Sequence, residues 1–166
     1  MKKIILAIGI IITTTVAIAA KESTMSEPIK VTKYAEQKPI KGSSDKFIGN
    51  VTIESSFAAS NPNHYSGAMV NFDAGARTAW HTHPLGQTLV VTSGRGYVQK
   101  EGESGQEILP GDVVWIPANV RHWHGGAKDS AMSHVAILDS VDGNNVTWME
   151  QVSETDYLAA QKTKAE

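Results

Sequence analysis

The chain has 166 residues, a formal net charge of −2 and no cysteine. Its length is sufficient for one domain with a hydrophobic core, and the small charge, with no basic run, argues against a nucleic-acid partner. The lack of cysteine excludes disulfides, thiolate catalysis and Cys-ligated zinc or iron–sulfur sites. Any bound metal must therefore be held by nitrogen and oxygen atoms.

Residues 1–20 have the pattern of a secretory signal peptide. Lys2 and Lys3 form a basic start, an apolar run interrupted only by threonines follows, and residues 17–19 have the small-x-small form of a cleavage site. The apolar run is shorter than the roughly 20 residues that a membrane-spanning helix needs, so an uncleaved anchor is the less favoured alternative. The sequence therefore predicts an exported protein, periplasmic or secreted, with no membrane partner after cleavage.

Residues 21–46 are polar and show no sustained hydrophobic period, which predicts a flexible N-terminal lead-in. The one candidate element there is a short edge strand at Ile29–Val31. From Phe47 the pattern changes, because every second residue as far as Ile53 fits the buried face of a single strand. A folded domain is therefore predicted over residues 47–166.

Downstream, short strands are separated by turns rich in glycine and proline. These strands are predicted around residues 68–72, 87–92, 97–100, 120–124 and 133–138. The unbroken apolar run Val113–Ile116 is typical of a strand that is buried on both faces. Short strands at this spacing predict an all-β sandwich or barrel. Near the end of the chain, Ser153 and the acidic residues after it predict the N-cap of one short C-terminal helix.

Three histidines and a glutamine have the spacing of a metal site. His81 and His83 are separated by one residue, so the period of a strand places both imidazoles on one face. Gln87 lies an even number of positions beyond both, and a turn before it would bring its amide oxygen to the same point. His122 comes from a second segment. Three imidazoles and one oxygen predict a divalent-metal site, although Gln87 as a solvent-facing or hydrogen-bonding residue is the alternative.

The two segments that carry these residues resemble the two sequence motifs of the cupin family. The first has the form Gly75-x5-His81-x-His83-x3-Gln87-x6-Gly94, and the second Gly111-x5-Pro117-x-Asn119-x2-His122. Gln87 stands where the family usually has Glu, and Asn119 where it usually has Gly. Asparagine tolerates left-handed backbone better than most residues, so the second departure is mild. The resemblance implies a double-stranded β-helix, the cupin jelly roll.

Within that family, residues 47–138 resemble the small bacterial cupins that include manganese-dependent hydroxynitrile lyases. The resemblance implies four metal ligands, one histidine close to the substrate and two small side chains that shape its pocket. The implied metal ligands are His81, His83, Gln87 and His122. The histidine close to the substrate is His134, and the small side chains are Ala68 and Val70.

Two further histidines are candidates for proton transfer. His124 shares a strand face with His122 by parity, and His134 shares one with Leu138, which makes Leu138 a further candidate for substrate binding. A histidine beside a metal is a reasonable general base, because its ordinary pKa lies near neutrality. A supporting role beside His122 is an equally good interpretation of His124. The sequence does not decide which of His124 and His134 is the base.

The resemblance to hydroxynitrile lyases implies a lyase that cleaves cyanohydrins to an aldehyde and cyanide, and the residues fit a mechanism with the metal as Lewis acid and a histidine as general base. Manganese is the expected metal by resemblance, and iron, zinc, cobalt and nickel are alternatives, because the ligand types alone do not choose. Gln87 in place of Glu leaves the full charge on a divalent metal, which favours Lewis-acid chemistry over an oxidised state.

Two rival functions follow from the same fold. One is a metal-dependent dioxygenase or other oxidoreductase, which would consume oxygen together with its substrate. The other is a non-catalytic protein that binds a small molecule and retains it without turnover. All three hypotheses share a small-molecule partner, and the resemblance also implies a homo-oligomer.

Overall fold

The computed structural model of the chain describes residues 28–60 and 63–162. The predicted signal peptide, residues 1–20, lies outside the described residues. Ile29–Val31 is exposed and forms no strand, so the edge strand predicted there is wrong. The residues from Thr32 onward belong to one compact unit. Over the described ranges, no helix combines the length and the apolar character needed to cross a membrane.

Within the described ranges, thirteen strands and one α-helix follow a 3-10 turn at Tyr34–Glu36. In chain order they are β1 (Ile40–Lys41), β2 (Phe47–Ile48), β3 (Val51–Phe57), β4 (Ser66–Phe72), β5 (Arg77–Thr78), β6 (His81–Thr82), β7 (Gln87–Gly94), β8 (Gly96–Lys100), β9 (Gln106–Ile108), β10 (Val113–Ile116), β11 (His122–Gly126), β12 (Met132–Leu138), β13 (Thr147–Trp148) and α1 (Glu154–Ala160). The edge strand of the lead-in is therefore β1, which pairs with β3.

The strands form two antiparallel sheets that face each other. The first has the order β1-β3-β4-β12-β7-β10. In the second, β11 pairs with β8 on one side and with β5 and β6 on the other, and β9, β2 and β13 extend the sheet. Side chains from both sheets meet in the main core, for example Phe72 and Leu89 from the first and Phe47 and Val98 from the second. This arrangement is the predicted all-β jelly roll.

Phe47–Ile53 forms two strands and not the single strand that its alternation predicts. β2 belongs to the second sheet, whereas β3 starts at Val51 in the first. Gly49 joins them at φ +80°, and a Cβ there would lie 2.9 Å from Cα of Ala76, so glycine meets both requirements. The alternation is misleading because Phe47 and Val51, on opposite sides of the break, point into the same core.

The run Val113–Ile116 is not buried on both faces, contrary to the prediction. Val113 and Trp115 are 67% and 60% exposed, whereas Ile116 is 4% exposed and lies in the core. β10 is the last strand of the first sheet, and among the described residues the α-helix packs on the second sheet instead. One face of β10 is therefore open although all of its residues are apolar.

The predicted C-terminal helix is confirmed as α1. Its N-cap is Ser153, whose Oγ accepts a hydrogen bond of 3.0 Å from the N–H of Asp156. Tyr157 packs against Trp123 on the outer face of the second sheet, with ring centroids 5.6 Å apart. Because side chains alternate along a strand, burying Trp123 under the helix turns the histidines on either side of it inward. The helix thus fixes which face of β11 lies towards the interior.

Candidate metal centre and its pocket

Strand pairing brings the three predicted metal-binding histidines together. His81 on β6 lies directly opposite His122 on β11. His83 follows β6 at a turn, and its carbonyl accepts a hydrogen bond of 2.8 Å from the N–H of Asn119, which has φ +61°. The left-handed conformation expected at Asn119 is therefore confirmed, and this bond joins the two motif segments. One nitrogen from each histidine can be chosen so that all three lie within 4.8 Å of one another.

Each of the three imidazoles is held by a backbone carbonyl. Nδ1 of His81 donates to the oxygen of Ala79 (2.9 Å), Nδ1 of His83 to that of Asn145 (2.6 Å), and Nδ1 of His122 to that of Val120 (2.8 Å). Because a carbonyl only accepts, Nδ1 carries the proton in each ring and Nε2 is left with a free lone pair. Metal-binding histidines are oriented in this way in proteins generally.

The fourth predicted ligand, Gln87, meets the same cluster. It begins β7, and its Oε1 lies 3.2 Å from Nε2 of His122. With the amide in this orientation, both atoms carry lone pairs and neither has a proton to donate. A cation bound between them would satisfy both lone pairs. The Nε2 atom of His83 is also buried without a hydrogen-bond partner. These residues therefore fit a divalent cation.

Burial keeps the candidate ligands neutral. It is the largest cause that lowers the pKa of His81 and of His83, and it lowers the pKa of His122 to about 4. The neighbouring imidazoles lower the pKa of His81 and His122 further, since a second positive charge among them is unfavourable. Neutral imidazole is the form that binds a metal, so the site needs no deprotonation step near neutral pH.

His124 and His134, the two candidates for proton transfer, form a hydrogen-bonded pair beside this cluster. Nε2 of His134 and Nδ1 of His124 lie 3.1 Å apart, and Phe72 packs against both rings. One proton is shared across this contact, so one of the two must donate to the other. The outer nitrogens, Nδ1 of His134 and Nε2 of His124, are buried without partners. Burial lowers the pKa of His134 to about 4 and that of His124 well below its ordinary value.

Three of the candidate ligands, His81, His83 and Gln87, lie at one side of a largely apolar cavity of about 400 Å³. The cavity is lined by residues from both sheets and by the segment after β12. The predicted substrate-binding residues Ala68, Val70 and Leu138 all line it, as do His124 and His134. It is large enough for a small aromatic molecule, because ligand pockets of this kind begin at roughly 300 Å³.

Sequence reasoning missed several lining residues. Trp148 is the tryptophan in the pocket; its ring lies 4.8 Å from that of His81, and β13 pairs it with His81. The other tryptophans lie elsewhere: Trp80 and Trp123 pack near the helix, and Trp115 is exposed. The further lining residues include Phe57, Ser66, Thr78 and Asn145. The only sequence feature that could have indicated a strand at Trp148 is the short β-prone stretch at residues 146–149.

The buried pair predicts how stability depends on pH. His134 has a folded-state pKa of about 4 against an ordinary value of 6.5. Between these values the unfolded chain binds the proton and the folded chain does not, so stability falls as pH drops from 6.5 to 4. For His134 the full effect is on the order of 3 kcal/mol. We expect urea unfolding of the metal-free protein to show this slope, and His134→Gln to reduce it. An equal slope in both proteins would contradict the assignment.

Comparison with known proteins agrees with this geometry. The model of the cupin domain family matches residues 68–138. The chain is 49% identical over 129 residues to (R)-mandelonitrile lyase of Granulicella tundricola, covering 78% of this chain and 98% of that protein. A cupin-like protein from Thermotoga maritima superposes with a TM-score of 0.67 at 40% identity, covering 76% of this chain and 94% of that one. A cupin-2 domain protein from Rhodospirillum rubrum, at 16% identity and a TM-score of 0.58, shares the fold; the match covers 80% of this chain and 86% of that one.

The chain belongs to the cupin family. Its similarity to a protein named as a lyase extends over almost the whole length of that relative. His81, His83 and His122 could bind a metal ion, as the cupin fold and their geometry together indicate.

Proposed function

We propose that this protein is a metal-dependent carbon–carbon lyase that cleaves cyanohydrins to an aldehyde and cyanide. The observation that carries the proposal is that the neutral His124–His134 pair lines one apolar cavity together with His81 and His83 of the candidate metal cluster. The relative at 49% identity is named (R)-mandelonitrile lyase, which supports the same reaction class.

The chain's own residues have distinct tasks in this reaction. When bound, a divalent metal lowers the pKa of a hydroxyl group that faces it. His134, or His124 through the shared hydrogen bond, takes the hydroxyl proton on its unpaired ring nitrogen. The oxygen electrons form the carbonyl, the bond to the nitrile carbon breaks, and that electron pair leaves with cyanide. The imidazolium then returns its proton to cyanide, which its low pKa favours.

The pocket walls favour a cyanohydrin with an apolar group. Ile53, Phe57, Leu138 and Trp148 line the cavity, whereas Ala68 is small and leaves room close to the histidines. Burying an aromatic ring against such walls provides binding energy in proportion to the apolar area removed from water. We therefore propose aromatic cyanohydrins as the preferred substrates.

Manganese is the proposed metal, and the charge of the ligand set supports Lewis-acid chemistry. Gln87 supplies a neutral oxygen where a glutamate would supply a negative one, so the four ligands leave the whole charge of a divalent ion in place. An oxidised trivalent state is then less favourable. This charge balance is the reason to prefer a lyase over an oxygenase among the functions compatible with the fold.

The decisive test is a cyanohydrin cleavage assay. Metal-free protein is prepared with a chelator and reloaded with Mn²⁺, Co²⁺ or Zn²⁺, and cyanide release from mandelonitrile is followed with oxygen uptake in parallel. We expect cyanide release that depends on added metal, with no oxygen consumption. Oxygen uptake without cyanide would favour an oxygenase, and retention of the compound without either would favour a binding protein.

Replacing Gln87 with Glu tests the charge argument. The carboxylate would lower the net charge of the centre by one, so we expect tighter metal binding and weaker acidification of the bound hydroxyl. Cyanide release at saturating metal should fall by roughly tenfold, which corresponds to a pKa rise of about one unit for the acidified group. Calorimetry for metal affinity and a pH–rate profile check both effects. Unchanged affinity and an unchanged profile would contradict the argument.

Export and self-association are proposed from the sequence and the family resemblance. The signal-peptide pattern of residues 1–20 is the basis for a periplasmic or secreted location, and the resemblance to other cupins is the basis for a homo-oligomer. Mass spectrometry of the protein from its host tests the first, since cleavage after Ala19 or Ala20 changes the mass. Light scattering tests the second.

A further inference from the structure

The carbonyl that holds His83 belongs to a segment outside both sheets. Nδ1 of His83 donates to the oxygen of Asn145 at 2.6 Å, whereas His81 and His122 each donate to a carbonyl two residues away in their own segment. The orientation of His83 therefore depends on a distant part of the chain. If the Asn145 carbonyl moved, Nδ1 would lose its acceptor, and the proton would be free to sit on either nitrogen.

Asn145 lies in the connection from β12 to β13, residues 139–146, which we call the strap. The strap turns back on itself at Asp142 and Gly143, whose φ angles of +51° and +80° are those of a tight two-residue hairpin turn. The backbones of Val141 and Asn144 exchange two hydrogen bonds of 2.9 Å across this turn. These bonds shape the tip of the strap, and they leave the position of Asn145 to be set by other contacts.

The side chain of Asn145 supplies such a contact. Its Nδ2 donates to Oγ of Ser66 at 3.2 Å, and both residues are half-buried in the lining of the pocket. Ser66 begins β4 and lies opposite Leu138 of β12, so it is part of the rigid first sheet. Asn145 thus connects two different groups: its side chain is bonded to the sheet and its carbonyl to a candidate metal ligand.

We infer that the Ser66–Asn145 hydrogen bond is a positioning contact that holds His83 in the tautomer required for metal binding. The bond anchors the strap to β4, the anchored carbonyl of Asn145 receives the Nδ1 proton, and Nε2 of His83 is left free towards the other ligands. Because the same two side chains line the cavity, a molecule in the pocket contacts the group that orients the metal ligand. This inference rests on the proposed metal centre but concerns a state of His83 that exists without metal.

Two variants and a matched control test it. Asn145→Ala removes the side-chain bond and keeps the backbone carbonyl, and Ser66→Ala removes the same bond from the other side. Asn144→Ala changes the neighbouring exposed residue of the strap, whose backbone but not side chain bonds to Val141. Nitrogen-15 NMR of the metal-free proteins measures which ring nitrogen of His83 carries the proton, and calorimetry with Co²⁺ measures metal affinity.

We expect Asn145→Ala and Ser66→Ala each to lower the population of the Nδ1–H tautomer of His83 and to weaken Co²⁺ binding by roughly tenfold. The double variant should be no weaker than the single ones, since both remove one bond. Asn144→Ala should match the wild type.

Wild-type tautomer and affinity in both variants would overturn the inference, and so would an equal loss in Asn144→Ala, which would point to general loosening of the strap. If the wild type bound no Co²⁺, the proposed function would fail while the tautomer measurement still decided this inference. If Asn145→Ala did not fold, Ser66→Ala alone would decide it.

Discussion

Replacing His122 with alanine is expected to abolish tight metal binding while leaving the fold intact. His122 is central to the cluster: its ring lies 4.1 Å from that of His81, and its Nε2 lies 3.2 Å from Oε1 of Gln87. Loss of a partner that only orients a ligand weakens metal binding 10- to 100-fold, so loss of the ligand itself should weaken it by about 10³-fold or more. Calorimetry with Mn²⁺ and elemental analysis of the purified variant measure this loss.

His64→Ala is the matched control, because His64 is an exposed histidine in a loop outside the centre. It should retain the affinity and metal content of the wild type. Thermal unfolding of metal-free His122→Ala should stay cooperative, since the helix cluster around Trp123 holds β11 independently. Normal metal content in His122→Ala would show that the three imidazoles do not form the binding site.

The second large effect is expected at His134, where substitution should leave metal binding intact and remove turnover. His134 has no ring contact with the three candidate ligands, and its hydrogen bond goes to His124. His134→Gln should therefore bind Mn²⁺ as the wild type does and lose cyanide release by about 10²- to 10⁴-fold, the usual contribution of a general base. Parallel calorimetry and single-turnover assays of cyanide release separate the two quantities.

Ser133→Ala provides the control for His134→Gln. Ser133 is the preceding residue of β12, and its Oγ donates to Oδ1 of Asn71, away from the histidine pair. It should leave both metal affinity and turnover near wild-type values. If His134→Gln kept full turnover, the base would have to be His124 or another group, and the corresponding His124 variant would then be the one to lose activity.

The arrangement on β11 explains how one short strand combines structural and chemical tasks. Trp123 packs under α1 on the outer face, whereas His124 lines the pocket between the sheets and His122 lies opposite His81. Trp123 is fully buried, and its Nε1 donates to Oε1 of Gln99 at 2.6 Å. Rotation of the strand would break this hydrogen bond and the packing of Trp123 under α1. The short C-terminal helix thus helps to position the candidate metal ligand His122 without contacting it.

The candidate metal residues could be predicted from the sequence because their chemistry and spacing are local properties. His81 and His83 are two residues apart at the end of β6, so local extended backbone is enough to bring both rings to one side. Asn119 has the left-handed conformation that its turn position requires. The C-terminal helix was predictable for the same reason, since its capping residue Ser153 bonds within one turn. For these features, neighbours along the chain determine the outcome.

The tertiary structure alone decided which surfaces are covered and which distant groups meet. Four features depend on contacts between segments far apart in the chain. They are the open face of β10, the break at Gly49, the position of Trp148 in the pocket and the bond from His83 to the Asn145 carbonyl. An apolar run looks the same in sequence whether a helix covers it or leaves it to solvent. Hydrophobic periodicity reports a preference for burial, and the partner that satisfies this preference is defined only by the folded chain.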